Sequence, residues 1–409
     1  MTTPMTTRSP WLGAADGKEL AAAERAAQAV ADELAADALE RDRANRTPRR
    51  EAEILKRSGL VDLIIPAEHG GGGGHWASAL LAVRTIARVD SSIAQVLAYH
   101  YLNLASVGFS IPDDEARRSR WFRASAEGSW IWGDAVNPTD PDLSLRPLEG
   151  GGWLLEGTKR YATGSAVGDA LLVHARVAAG PAEGKVLALV LEHGRDGVEY
   201  LDDWDVLGQR LSSSNSVSFR GVRVAENDVL GPVTDEPFST LLTPGLQLAF
   251  GHLYLGIAEG ALAAAREIIT KRRGSWFRSP AERYRNDPFV LRLVGELDAR
   301  NAAVAALAER LAARFDEVVA LGSGVTAEAR GEFAVAVARL KVASSEAATD
   351  LAHRVFEATG SSSTASSHGL DRYWRNIRTH SLHDPVDYKK LEVGDFYLNG
   401  TPPPPTLYT

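Results

Sequence analysis

The sequence predicts an α+β protein in three stretches: a helical N-terminal region, a β-rich middle and a C-terminal helix bundle. Three observations carry that prediction. Apolar residues recur at three- and four-residue steps near both ends, the signature of amphipathic helices. Between about residues 129 and 235 the pattern changes to short, β-branched runs bounded by glycine and proline. The chain is 409 residues long, 44% hydrophobic and 24% charged, which fits two or three domains or one large composite unit.

From Gly17 to about Trp121 the chain reads as helices, beginning with the stripe Leu20, Ala23, Ala27, Val30 and Leu34. Arg49 to Ser58 forms a second segment that ends near Gly59. Residues 75–89 and 91–108 form further helices, with Asp90-Ser91-Ser92 as an N-cap between them. In the middle, Trp153 to Gly157, Ala170 to Val177, Lys185 to Leu191, Val198 to Trp204 and Ser216 to Val224 read as strands. No helix separates them, which favours an antiparallel sandwich or barrel over a doubly wound sheet. From Thr243 three apolar stripes follow: Leu246 to Ala261, Val290 to Phe315 and Phe333 to Val355. With one helix near the C-terminus they suit a four-helix bundle. Pro402 to Pro405 lie in an extended tail. The expected divisions are residues 1–128, 129–235 and 236–409.

Composition excludes several chemistries. With no cysteine there is no disulfide framework, Cys-ligated zinc, iron–sulfur cluster or thiol nucleophile. A net charge of −8 argues against a general nucleic-acid binder. No run of about 18 apolar residues predicts a membrane span, and Met1 to Gly13 lacks the apolar core of a signal peptide, so a soluble cytoplasmic protein is expected. The glycines Gly70 to Gly74 read as a flexible turn, since no Gly-Lys-Ser/Thr follows. No G-x-S-x-G elbow occurs.

Three segments are dense in chemistry. Asp371 to Pro385 packs three arginines, two histidines, two aromatics and two aspartates into fifteen residues. On a helix His380 and His383 would share a face. No third ligand stands at a recognisable spacing, so no metal site is expected; a polar helix, a subunit contact and an anion- or cofactor-lined site stay open. His100 sits in an otherwise apolar helix, either as a core residue or as a functional one. Gly157 to Ser165 and Trp204 to Ser214 join hydroxyls to glycines at strand junctions. Such a junction can bind the polar edge of a flat heterocycle or be a plain turn, and Trp204 can cover a ring or fill the core.

Gly157-Thr-Lys-Arg-Tyr-Ala-Thr-Gly-Ser165, Leu207-Gly-Gln-Arg-Leu-Ser212, Phe219-Arg-Gly-Val-Arg-Val224 and Val229-Leu-Gly231 resemble the acyl-CoA dehydrogenase superfamily. The resemblance runs over nearly the whole chain. Trp374-Arg-Asn-Ile-Arg-Thr-His-Ser-Leu-His-Asp-Pro385, with Tyr99-His100 and Leu201 to Trp204, is most similar to its flavin-dependent monooxygenase branch, the dibenzothiophene monooxygenase type. The resemblance implies a helical domain, a central antiparallel β-barrel and a four-helix bundle, assembled as a homotetramer. It also implies reduced FMN from a separate NAD(P)H-dependent flavin reductase. Oxygen would add to the flavin as a C4a-hydroperoxide and pass to an apolar aromatic or organosulfur substrate, with dibenzothiophene-like S-oxidation as the leading reaction. The protein would bind, orient and protect that intermediate.

By the same resemblance His100 and His383 flank the reactive edge of the flavin. Thr163 stands for a family serine near N5, Trp204 packs on the ring, and Ser165 and Ser214 lie at the cofactor-facing junctions. Asn376 and His380 line the cavity from the C-terminal segment, and Asp134 replaces an asparagine. Two departures stand out. The family's phosphate-binding arginines, contributed by a neighbouring subunit, fall at Gly274 and Ser362. Arg272 or Arg273 would substitute, with the hydroxyls of Ser361, Ser362, Ser363 and Thr364. FMN is therefore favoured and FAD stays open.

Other readings are weaker. An acyl-CoA dehydrogenase needs a carboxylate base, and the two positions where the family places one correspond to the His-Ser-Leu-His segment and to Leu246. Hydroxylation of an amine or an indole by the same flavin chemistry is a further alternative. Gly274 to Asn286, rich in Arg, Trp and Phe, is either a lid or a surface loop.

Overall fold

A computed structural model describes residues 9–111, 114–406 and 409. Most of the N-terminal segment read for a signal peptide therefore lies outside the described residues. Six helices come first: α1 (Gly17–Ala35), α2 (Ala38–Ala44), α3 (Arg49–Arg57), α4 (Trp76–Ala87), α5 (Ser91–Ser110) and α6 (Glu115–Gly128). Asp16 starts α1 by accepting from the N–H groups of Lys18 and Glu19, and Asp90 starts α5 by accepting from Ile93 N. α5 is buried from Ser91 to Phe109, so every face of it meets protein or cavity. The glycine turn is pinned rather than loose: Gly72, Gly73 and Gly74 donate to the carbonyls of Asp62, Ile65 and Leu63 at 2.8, 2.9 and 2.7 Å.

Eight strands follow: β1 (Trp132–Ala135), β2 (Leu143–Pro147), β3 (Trp153–Ala162), β4 (Ala170–Val177), β5 (Val186–Glu192), β6 (Val198–Tyr200), β7 (Asn215–Val224) and β8 (Val229–Pro232). They form one sheet in the order β6-β7-β3-β2-β4-β5-β8, with β1 beside β4. The sequence pattern misses β1, β2 and β8, which are only four or five residues long. The sheet is mostly antiparallel, but β4 pairs in parallel with both β1 and β2. The strand expected to reach Trp204 ends at Tyr200, because Asp202 takes a left-handed conformation (φ 50°) and breaks the extended run.

Strand alternation explains how the sheet serves two sides. In β4, Leu171, Val173, Ala175 and Val177 enter the sheet's own core, while Ala170 and Leu172 join the helical core. His174 lies on that second face.

The C-terminal region holds α7 (Leu242–Lys271), α8 (Pro288–Ala320), α9 (Ala327–Thr359), α10 (Asp371–His380) and α11 (Val386–Asn399). Ser239–Lys271 is long and apolar enough to cross a membrane by length and composition, yet 78% of its most apolar window is buried inside the protein. α7 packs tightly on α4: a Cβ at Gly260 would stand 2.0 Å from the Arg88 carbonyl oxygen. The segment between α7 and α8 lies at the surface, with Trp276 and Phe277 exposed.

Candidate active site

A cavity of about 610 Å³ opens where α5, the sheet, α7 and the segment after α10 meet. Helical spacing on α5 aims Gln95, Tyr99, Leu102, Asn103, Ser106 and Ser110 into it. β1, β3 and β4 supply Asp134, Tyr161 and His174, and the junction loops supply Thr163, Trp204, Gln209 and Ser214. α7 contributes Leu242, Leu246 and Gln247, and the end of α10 and its following turn contribute His380, Leu382, His383 and Asp384.

One wall is a chain of hydroxyls and amides. Thr163 Oγ1 lies 2.9 Å from Ser214 Oγ, which lies 2.8 Å from Ser212 Oγ. Gln95 Nε2 donates to Thr163 Oγ1 at 3.3 Å, and Gln209 Nε2 donates to Gln95 Oε1 at 2.8 Å. Trp204 is fixed at the rim by its Nε1–H, which donates to the Gln209 carbonyl at 2.9 Å. The loop sits close on α10: a Cβ at Gly208 would lie 2.1 Å from the Arg375 carbonyl oxygen.

The opposite wall carries the histidines. α10 ends at His380, so His383 lies in the turn beyond it and not on a common helical face. The two rings still stack, 5.7 Å apart and 13° from parallel. His383 Nε2 lies 2.8 Å from Tyr99 Oη. Tyr254 Oη donates to the His380 carbonyl at 3.1 Å and lies 3.0 Å from His380 Nδ1. Burial, reinforced by the charges of His383 and Lys341, pushes His380 well below the usual imidazole range. It is therefore neutral at pH 7. Burial alone would raise the Asp384 carboxyl, but the hydrogen bond and charge of His383, with Lys341 and Gln247, hold it well below the carboxylate range.

Asp134 behaves in the opposite way. Burial pushes its carboxyl up to about 8 against weaker stabilisation by Thr163 N–H and Asn103. At neutral pH it keeps its proton and can donate a hydrogen bond.

The structure brings together six of the expected site residues: Thr163, Ser214, Trp204, Asp134, His380 and His383. Asn376 stands just behind the wall, where its Oδ1 accepts from Gln209 N at 2.8 Å. Five other expected residues lie outside this cavity. His100 points away from the cavity, because it is one residue, or 100° of helix, beyond Tyr99. Its Nε2 lies 2.7 Å from the Val61 carbonyl, and its Nδ1 accepts from Trp132 N at 3.1 Å. Burial pushes its ring down to about 4, so His100 is a neutral structural tie. Ser165 is buried behind the junction, donating to the Ser213 carbonyl at 3.3 Å. Arg272 stacks over Tyr284 at 4.1 Å and donates to the Thr359 carbonyl, beside the turn Ser361–Thr364. Neither it, Arg273 nor Ser362 lines this cavity.

Sequence reasoning missed Gln95, Asn103, His174, Gln209, Gln247 and Asp384. The signal existed for some of them. Gln95, Tyr99 and Asn103 are spaced four apart on one helix, and His174 shares the period-two face of Leu172.

Known proteins resemble this chain over most of its length. The family model for the acyl-CoA dehydrogenase N-terminal domain matches residues 17–128, and that for the C-terminal domain matches residues 248–388. A probable FMNH2-dependent monooxygenase, SfnC of Pseudomonas putida, is 40% identical over 94% of this chain and 98% of its own. The methanesulfinate monooxygenase MsuC of Pseudomonas fluorescens is 40% identical in its solved structure, with a TM-score of 0.90, over 94% of this chain and 99% of its own. The dibenzothiophene monooxygenase TdsC of Paenibacillus sp. A11-2, in its FMN-bound structure, is 36% identical with a TM-score of 0.90, over 95% of this chain and all of its own.

Proposed function

The chain belongs to the acyl-CoA dehydrogenase family, and from that premise we propose that it is a two-component, FMNH2-dependent monooxygenase acting on an organosulfur or apolar aromatic small molecule. One observation carries the choice of oxygenation over dehydrogenation: among the described residues that line it, the cavity has no carboxylate free to act as a base. Asp134 holds its proton at neutral pH, Asp384 is tied to Gln247 beside Lys341, and Leu246 is apolar. A histidine–tyrosine pair, His383 and Tyr99, stands in the cavity instead.

The donor set fits a flavin ring. The Thr163–Ser214–Ser212 hydroxyls and Gln95 present hydrogen-bonding groups along one edge, and Trp204 presents a flat indole at the rim. Among the described residues no arginine or lysine lines the cavity. The phosphate would be held by Arg272 and the Ser361–Thr364 turn of a neighbouring copy, a reading that favours FMN and calls for an oligomer, proposed here as a homotetramer. Bound reduced FMN supplies two electrons and, with O2, the oxygen atom to be transferred. The chain's residues do the rest. His383 Nε2 and Tyr99 Oη would hold or pass a proton within the cavity, His380 adds a neutral ring, and Leu102, Leu172, Leu242 and Val233 exclude water. A separate NAD(P)H-dependent reductase supplies the reduced cofactor.

Dibenzothiophene-type S-oxidation is the leading reaction. Small oxygenated organosulfur compounds are a second class, favoured by the polar patch of Asn103, Asp134, Asn137, Thr139 and His174. The test combines the protein with a flavin reductase, NADH, FMN and ¹⁸O2, and offers dibenzothiophene, thioethers, methanesulfinate and indole. One labelled oxygen in a product is expected. If none is labelled while an acyl-CoA bleaches the bound flavin, the proposal fails.

A further inference from the structure

Behind the histidine wall, α9 carries a lysine that sequence reasoning gave no role. Lys341 is fully buried, and among the described residues its Nζ finds no hydrogen-bond partner. Its one carboxylate within ion-pair reach among the described residues is Asp384, at 3.8 Å. Its other neighbours are aromatic faces, with Nζ 4.7 Å from the centre of Phe250 and 5.8 Å from that of Tyr254. A buried ammonium with so few partners is costly to desolvate, and cation–π contact offsets only part of that cost.

Phe250 and Tyr254 are the side chains that hold the histidines. Phe250 meets the edges of His380 and His383 at 4.6 and 5.0 Å, and Tyr254 bonds His380. Asp384 Oδ2, the atom facing Lys341, also lies 3.6 Å from His383 Nδ1 and accepts from Gln247. Lysine, carboxylate and imidazoles therefore form one connected unit, of which all but the lysine line the cavity.

We propose that Lys341 is a positioning residue, whose buried ammonium anchors Asp384 and so sets the placement and charge of the His380–His383 wall. The inference rests on the monooxygenase reading for its effect on turnover, but not for its effect on the wall itself. Burial pushes Lys341 down to about 8 while Asp384 pulls the other way, so it is charged at neutral pH and loses that charge just above. The titratable and charged groups facing it are His380 at the end of α10, Asp384 in the turn beyond, Lys389 on α11 and Tyr254 on α7, with His383 on the far side of Asp384. Its charge opposes a proton on His380.

The test reads His380 directly, by the ¹³C NMR shift of its imidazole in the unliganded protein from pH 6.5 to 9.5, assigned with H380N. All samples carry D134N, since Asp134 ionises in the same range. A step near pH 8 is expected, absent in K341R, whose guanidinium stays charged, and absent in K341M. In the oxygenation assay at pH 7, K341M should lower kcat about tenfold with KM within about threefold, and K341R should recover kcat to within about threefold. A step that persists in K341R overturns the proposal, as does an unchanged kcat in K341M. If K341M does not fold, the K341R spectrum alone decides. If no substrate is oxygenated, the monooxygenase reading fails while the His380 titration still decides the role of Lys341.

Discussion

At the scale of single residues, two histidines on the same wall of sequence chemistry have opposite fates. His383 faces the cavity with its Nε2 on Tyr99, and His100 faces the protein with both nitrogens engaged. H383A is therefore expected to lower product formation by about a hundredfold while changing FMN affinity less than about threefold. Equal losses in turnover and flavin binding would instead make His383 a cofactor anchor. H100A has the reverse expectation. It leaves Trp132 N–H and the Val61 carbonyl unpaired in the core, so it should destabilise the fold by about 2–4 kcal/mol in urea titration. Activity per folded molecule should persist. A His100 variant of normal stability with no turnover would return it to the site.

At the scale of elements, the site depends on the junction loop lying against α10. Gly208 makes that approach possible, and Asn376 then caps Gln209 N. G208A forces the loop off Arg375 and should weaken FMN binding about tenfold or more, read by fluorescence quenching, because Trp204 and Gln209 move together. Unchanged FMN affinity would mean that this junction does not hold the flavin. The element scale also shows what was legible. The long periodic helices and the strands Ala170–Val177 and Asn215–Val224 stand clearly in the sequence. The four- and five-residue strands β1, β2 and β8 do not, because so short a run carries too few alternations to announce itself. β1 nevertheless delivers Asp134 to the cavity.

At the scale of the whole molecule, buried titratable groups predict a stability that climbs from acid pH and levels off near neutrality. Burial pushes His100, His174 and His252 down to about 4 and lowers His380 too. Unfolding lets these rings bind protons, so stability is lost as pH falls from about 6.5 toward 4. Asp134, raised to about 8, and Asp316, raised to about 6, work in the other direction. Each keeps in the folded state a proton that the unfolded chain releases near pH 4, so stability is lost as pH rises through that window. The histidines outnumber the carboxyls below pH 6.5, and above it Asp134 is opposed by Lys341, whose value burial lowers to about 8. Tm should therefore rise to about pH 7 and level off there, and D134N should make it go on rising between pH 7 and 8. A Tm that rises steadily to pH 8 in the wild-type protein would contradict the buried carboxylic acid.

The sequence by itself determined the periodic helices, the β-rich middle, the absence of thiol chemistry and the family likeness that singled out Thr163, Trp204, His380 and His383. These depend on local period and composition, which a linear chain displays. Only the tertiary structure decided that His100 turns inward, that Asp134 keeps its proton, and that Lys341 stands behind the histidines. Burial and facing are set by elements far apart in the chain: α9 and the turn after α10 place Lys341 beside Asp384, and α5 and β1 enclose Asp134. The charge of a side chain depends on what surrounds it, and those surroundings exist only once the helices and the sheet have packed.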